Sequence, residues 1–113
     1  MTPEKKVQNS IIKYLKELKN NNHPCYYERR EAGGFAYKKG MADLYAVYNG
    51  IHIEIEVKQE DGEQSSMQEK REEICKKLNI LYICVDNLQQ FKDFMEYYFD
   101  ISALWEHEKI KVI

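Results

Sequence analysis

Hydrophobic residues recur every three or four positions in three stretches of the chain, a spacing that predicts amphipathic helices. The first stretch carries one apolar stripe, Val7, Ile11, Leu15 and Leu18. Thr2 and Pro3 precede this stripe. The pair suits a helix start, because threonine caps an N-terminus and proline fits the first helical position. We expect the helix to end at the asparagine run of residues 20–22.

Two further helices are predicted in the second half of the chain. One begins at a capping box, in which a serine and a residue three positions later satisfy each other's main-chain amides. The box is either Ser65–Gln68 or Ser66–Glu69. The buried side of this helix should present Met67, Ile74, Cys75 and Leu78. The last helix is capped by Asp86 or Asn87, and its apolar positions are Leu88, Phe91, Phe94, Met95 and Tyr98.

Four segments have the composition of β-strands. The first two are residues 25–30 and 42–48. The third, 51–58, alternates between two faces. Its core face carries Ile51, Ile53, Ile55 and Val57, and its charged face carries His52, Glu54, Glu56 and Lys58. The fourth, 80–85, is apolar throughout and predicts a strand that is buried on both faces.

The predicted element order is α-β-β-β-α-β-α, in a single domain over residues 1–113. Asn49–Gly50 should join the second and third strands as a hairpin, because both residues of a type I′ turn need positive φ. The third strand, the following helix and the fourth strand form a crossover unit, which makes those two strands parallel. The predicted class is therefore α/β, with a mixed β-sheet flanked by helices. Residues 31–40 should form a loop, and residues 102–113 could include a short strand.

Composition limits the classes of function. No stretch approaches the roughly 20 apolar residues that span a bilayer, and residues 1–6 lack the apolar run of a signal peptide. We therefore expect a soluble, cytoplasmic protein that does not bind membranes. Three cysteines without a CxxC pair suggest neither a disulfide framework nor a zinc site. With a net charge of −2, nucleic acid would have to be bound through local basic patches.

The hairpin register places charged residues together. A turn at Asn49 and Gly50 sets Asp43 directly opposite Glu56, with Cβ atoms about 4.5–5.5 Å apart. Such carboxylates repel, and Mg²⁺ or Mn²⁺ is the natural bridging cation because both prefer oxygen ligands. Lys58 projects from the same face. A metal that activates water and a lysine that stabilises transition-state charge suit phosphodiester hydrolysis. The alternative is a solvated hairpin face with a fortuitous ion pair.

Three segments resemble the VRR-NUC family, virus-type replication–repair nucleases of the PD-(D/E)XK superfamily. They are Gly40–Asp43, Glu56–Lys58 and Ser65–Gln68. Many members have proline before the aspartate, where this chain has Ala42, a change that removes no functional group. The resemblance implies an α-β-β-β-α-β nuclease core with Mg²⁺ or Mn²⁺. It also implies a homodimer that acts on branched or otherwise structured DNA, in the cytoplasm of a bacterial cell or a phage-infected host.

The resemblance also assigns roles to positions of this chain. Metal would be bound at Asp43, Glu56, Val57 and Glu4. Catalysis would depend on Asp43, Glu56, Lys58 and Gln68. For Glu4 the alternative is a carboxylate placed favourably against the helix dipole. For Gln68 the alternative is a purely structural capping box.

Basic residues flank the glycine-containing loop before Asp43, and we predict that they bind DNA phosphates. They are Arg29, Arg30, Lys38 and Lys39. The alternative is ordinary surface charge. Three functions remain open: a structure-selective homodimeric DNA endonuclease, a restriction-type or general DNase of the same superfamily, and a non-catalytic DNA-binding module. The intact Asp43, Glu56 and Lys58 argue against the third.

Overall fold

A computed structural model describes residues 2–30, 41–59 and 62–101. The elements are α1 (Pro3–Asn20), β1 (Cys25–Arg29), β2 (Leu44–Tyr48), β3 (Ile51–Val57), α2 (Ser66–Lys77), β4 (Leu81–Val85) and α3 (Leu88–Phe99). The predicted α/β class and element order are confirmed. The loop predicted at 31–40 and the short strand considered within 102–113 lie outside the described residues. No helix in the described ranges is long and apolar enough to cross a membrane.

The four strands form one mixed sheet in the order β1-β2-β3-β4. β1–β2 and β2–β3 are antiparallel, whereas β3–β4 is parallel, as the crossover unit predicts. Asn49 and Gly50 have φ values of 51° and 82°, the positive angles that a type I′ turn requires. Tyr48 pairs with Ile51 across the turn. The predicted hairpin and its register are therefore confirmed. The prediction that Ile51 belongs to the core face is wrong, because this residue beside the turn is 46% exposed.

One face of the sheet packs against α1 and α3. The core contains the α1 stripe and alternate residues of β2 and β3, together with one side of α3. Its buried members are Ile11, Leu15, Leu18, Leu44, Ala46, Tyr48, Ile53, Ile55, Val57, Val85, Phe91, Met95 and Phe99. The Thr2 hydroxyl caps α1 by accepting from the Lys5 amide at 3.2 Å. Asn87 caps α3, and Tyr98 of that helix is half exposed.

The predicted buried side of α2 is wrong. Cys75 is buried there, but three other members are about half exposed: Met67, Ile74 and Leu78. The physical reason is the position of the helix. α2 packs against β4, the edge strand of the described sheet, so the other side of the helix finds no neighbour among the described elements.

The prediction that the fourth strand is buried on both faces is also wrong. Val85 is buried, but Cys84 is exposed, and the three residues before it are only partly buried. In the described part of the chain β4 pairs with β3 alone. An edge strand has a neighbour on one side, and apolar composition does not reveal which strand takes that place.

Candidate active site

The middle of the charged face of β3 is buried as well. Glu54 is buried, and Glu56 is 1% exposed, because β3 lies between β2 and β4 and the first turn of α2 contacts it. A solvated hairpin face is therefore excluded for these two residues. Because an unpaired buried charge is costly, each carboxylate needs partners.

Glu56 has partners for one oxygen and not for the other. Its Oε1 accepts a hydrogen bond of 2.8 Å from Gln68 Nε2, and Lys58 Nζ lies 3.7 Å from the same oxygen. Its Oε2 is buried and has no hydrogen-bond partner within the described chain. Burial and then the charge of Asp43 raise the pKa of Glu56 to about 8, although Lys58 opposes the rise. A cation at this place would return the group to its charged form.

Asp43 lies immediately before β2, beside Glu56. Its Oδ2 accepts a hydrogen bond of 2.9 Å from the main-chain amide of Val57. Its carbonyl oxygen accepts one of 2.8 Å from the amide of Arg30. These bonds fix the side chain towards β3 and the main chain towards β1. The structure therefore brings the two predicted cross-strand carboxylates together.

Gln68 both completes the capping box of α2 and contacts the carboxylate pair. Its Oε1 accepts from the Ser65 amide at 2.9 Å, and its own amide donates to Ser65 Oγ at 3.2 Å, which completes a capping box. Its Nε2 donates to Glu56 Oε1. One side chain thus caps α2 and orients a buried carboxylate, so the start of the helix is tied to β3.

Two further predicted metal positions lie near the same end of β3. Glu4 Oε1 accepts a hydrogen bond of 3.4 Å from the amide of Gln59, and the charge of Glu4 adds to the rise in the Glu56 pKa. The Val57 side chain is buried in the core. A metal could therefore meet Val57 only through its main-chain carbonyl.

The residues present fit Mg²⁺ or Mn²⁺, which take oxygen ligands. A cation near the two carboxylates is favoured for two reasons. The Oε2 atom of Glu56 has no partner among the described residues, and the negative charges of Glu56 and Asp43 repel each other. Within the described ranges, no three histidine, cysteine or acidic side chains converge on one point. Mg²⁺ needs only one or two carboxylates, because water and substrate phosphates complete its coordination.

A cluster absent from the sequence prediction lies next to this pair. Arg30 donates to both oxygens of Glu54, at 2.6 and 2.7 Å, and to the carbonyl oxygen of Ala42 at 3.1 Å. Burial would raise the pKa of Glu54, but hydrogen bonds from Arg30 and His52, and their charges, hold it below its usual value. Arg30, predicted to bind phosphate, is thus engaged within the protein.

The other predicted DNA-binding residues are placed as follows. Arg29 donates a hydrogen bond to Asn9 of α1. Lys38 and Lys39 lie outside the described residues. Phosphate binding by Arg29, Arg30, Lys38 and Lys39 stays a prediction.

Comparisons with known proteins add one match. No family model matches the sequence, and a search of curated proteins finds no match. Among solved structures, a VRR_NUC domain matches with a TM-score of 0.72 and 21% sequence identity. The match covers 88% of this chain and 100% of the other. The four-stranded mixed sheet and its helices therefore have the fold of a VRR_NUC domain.

Proposed function

We propose that this protein is a nuclease of the VRR-NUC family, a metal-dependent DNA endonuclease that hydrolyses phosphodiester bonds. The observation that carries the proposal is the buried carboxylate pair of Asp43 and Glu56 with Lys58 beside it. A buried carboxylate oxygen without a hydrogen-bond partner among the described residues is costly, so it favours a further partner such as a metal ion. The VRR_NUC domain that shares this fold supports the same conclusion.

Each residue has a distinct role in this proposal. Asp43 and Glu56 would hold Mg²⁺ or Mn²⁺, which lowers the pKa of bound water and offsets phosphate charge. Gln68 would be a positioning residue, because its side chain donates to the Glu56 carboxylate. Lys58, whose side chain is partly exposed, would stabilise the negative charge that develops on the phosphate.

The substrate in this proposal is branched or otherwise structured DNA. Its support is the sequence resemblance to the VRR-NUC family, carried by Gly40–Asp43, Glu56–Lys58 and Ser65–Gln68. Paired cuts in such DNA require two sites related by a two-fold axis. The proposed active form is therefore a homodimer.

The surface of α2 suits a second copy of the chain. Its exposed apolar residues, Met67, Ile74 and Leu78, are seven and four positions apart and so lie on one side of the helix. Acidic and basic residues are interspersed along the same helix: Glu69, Lys70, Arg71, Glu72, Glu73, Lys76 and Lys77. In the proposed dimer, the apolar side of α2 packs against the same side of a second copy about a two-fold axis.

The dimer can be tested by sedimentation at micromolar concentration. The wild type should be dimeric, and Ile74→Glu should be monomeric because it buries a charge in the contact. Tyr97→Glu, on the exposed side of α3, is the matched control and should remain dimeric. A monomeric wild type that still makes paired cuts would contradict the dimer.

The nuclease activity can be tested on matched linear, flapped and four-way DNA substrates with Mg²⁺ and with Mn²⁺. Asp43→Asn, Glu56→Gln and Lys58→Ala should each lose cleavage while remaining folded by circular dichroism. Glu63→Gln, which changes an exposed carboxylate in the segment before α2, should cleave normally. Full activity in either carboxylate variant would refute the assignment. Equal cleavage of linear and branched DNA would refute the structural selectivity alone.

Metal binding can be tested by thermal unfolding. Asp43→Asn should melt at or above wild type in chelator, because it relieves repulsion from Glu56 while keeping an oxygen that can accept from Val57. Mn²⁺ should stabilise the wild type by mass action and the variant much less. A variant that is less stable in chelator and responds fully to Mn²⁺ would contradict the site.

A further inference from the structure

The sheet face that carries the catalytic carboxylates continues away from them as an aromatic column. The guanidinium of Arg30 lies 4.9 Å from the centroid of the Tyr45 ring. The imidazole of His52 stacks on the same ring, with centroids 5.2 Å apart and planes 8° from parallel. We call Arg30, Tyr45 and His52 the aromatic column.

The strand register gives the column its direction. Arg30 lies level with Asp43, because its amide donates to the Asp43 carbonyl oxygen. Tyr45 is two residues farther along β2, and His52 pairs with Val47, two residues farther again. At about 3.4 Å per residue, the column ends about 14 Å from the carboxylate pair. This distance equals the rise of about four stacked nucleotides of one DNA strand.

The far end of the column presents exposed rings. The His52 side chain is 42% exposed. Tyr26, which is 48% exposed, lies beside Tyr45 with ring centroids 6.3 Å apart. Because these rings lie on the same sheet face as the carboxylates, a strand that approaches the site from this end of the face would pass over them.

Hydrogen bonds hold the column in place. Glu54 accepts two from Arg30, at 2.6 and 2.7 Å, and another from His52. Its negative charge is offset by the guanidinium, so it repels a passing phosphate chain less than a free carboxylate would. Rings that are already ordered lose little conformational freedom when a ligand stacks on them.

We propose that the exposed end of this column, the His52 ring, stacks on an unpaired base of the DNA strand that lies in the active site. The proposal rests on the proposed function as a DNA nuclease. Every base has a π-face, so such stacking is independent of sequence. In a duplex, neighbouring base pairs cover those faces. The platform therefore selects DNA that is unpaired within about four nucleotides of the cut.

The test measures DNA binding in chelator, where cleavage is absent. Fluorescence anisotropy compares a single-stranded oligonucleotide with a blunt duplex of the same sequence. His52→Ala should weaken binding to the single strand by about five-fold or more and leave duplex binding unchanged. His52→Phe should restore it, because it restores an aromatic face. Tyr97→Ala removes an exposed ring of α3 and should change neither affinity.

The position of the contact can be tested separately. A single abasic nucleotide, moved stepwise along the unpaired arm of a flapped DNA whose junction fixes the register, should weaken binding at one place only. Wild type should show this minimum within about four nucleotides of the bond that is cut when Mg²⁺ is added, and His52→Ala should lose it. An abasic scan without any minimum would overturn the proposal.

The remaining outcomes separate this proposal from the nuclease proposal. Equal loss of single-strand and duplex binding in His52→Ala would indicate a backbone contact and overturn the stacking. Equal single-strand affinities of His52→Ala and Tyr97→Ala would also overturn it. So would a wild type that binds neither the single strand nor the duplex. Stacking-dependent binding without cleavage in Mg²⁺ or Mn²⁺ would refute the nuclease and support the platform.

Discussion

The guanidinium of Arg30 donates hydrogen bonds of 2.6 and 2.7 Å to the two carboxylate oxygens of Glu54. The same group donates to the carbonyl oxygen of Ala42, and the Arg30 amide donates to that of Asp43. Arg30 therefore holds the segment before β2 through its side chain and its main chain. Because the proposed metal ligand Asp43 lies in this segment, we infer that the ion pair positions it.

We expect Glu54→Gln to lower the free energy of unfolding by about 3 kcal/mol. The two side chains are only 17% and 9% exposed, so the variant leaves Arg30 without a counter-charge and with little access to water. Lys76→Gln removes the exposed pair with Glu72 and should cost at most about 0.5 kcal/mol. Urea unfolding of both variants makes the comparison. If both variants lose the same small amount of unfolding free energy, the buried ion pair of Arg30 and Glu54 contributes little to stability.

The stability of the metal-free protein should fall as pH rises towards about 8. The pKa of Glu56 is about 8 in the folded state against an ordinary value of 4.5. Between these values the folded state keeps a proton that the unfolded chain has released. This stabilisation is complete below pH 4.5 and is lost as pH rises through the folded pKa.

Urea unfolding in chelator can measure this effect at about pH 5 and about pH 8. The wild type should lose more than about 1 kcal/mol over this range relative to Glu56→Gln, which does not titrate at this position. The difference between the two proteins isolates Glu56 from other titrating groups. Identical pH dependence would mean that Glu56 ionises normally in the fold.

The two contacts of Gln68 can be separated by mutation. Ser65→Ala removes the cap of α2 and should cost about 1 kcal/mol of stability without changing cleavage, because Gln68 still reaches Glu56. Gln68→Ala also removes the donor to Glu56 and should slow cleavage by about 10- to 100-fold. Steady-state kinetics and thermal unfolding are measured on both. If Gln68→Ala cleaves as well as Ser65→Ala, the role of Gln68 is capping alone.

Gly50→Ala should destabilise the hairpin by about 1 kcal/mol. A Cβ at this position would meet no atom within 4 Å, so the effect comes from the backbone at φ 82° and not from a clash. Asn49→Gly is the control, because glycine also suits the positive φ at that position. Thermal unfolding compares the two. Equal melting temperatures would argue against a strained alanine in this turn.

The sequence by itself determined the features that local interactions control. The apolar stripe of α1 follows from helical periodicity, and a two-residue turn at Asn49–Gly50 leaves only one pairing of β2 with β3. That pairing brings Asp43 to Glu56. Alternation along β3 then places Lys58 on the same face.

The tertiary structure alone decided which faces acquire neighbours. Periodicity shows which residues share a face, but not whether another element covers that face. Glu56 is buried because its face of β3 is covered, whereas Met67 and Ile74 of α2 are exposed because no described element covers theirs. The register of β1 is equally non-local. The sequence between β1 and β2, residues 30–43, is too long for a two-residue turn to set the register, so packing and strand pairing bring Arg30 level with Asp43 and onto Glu54.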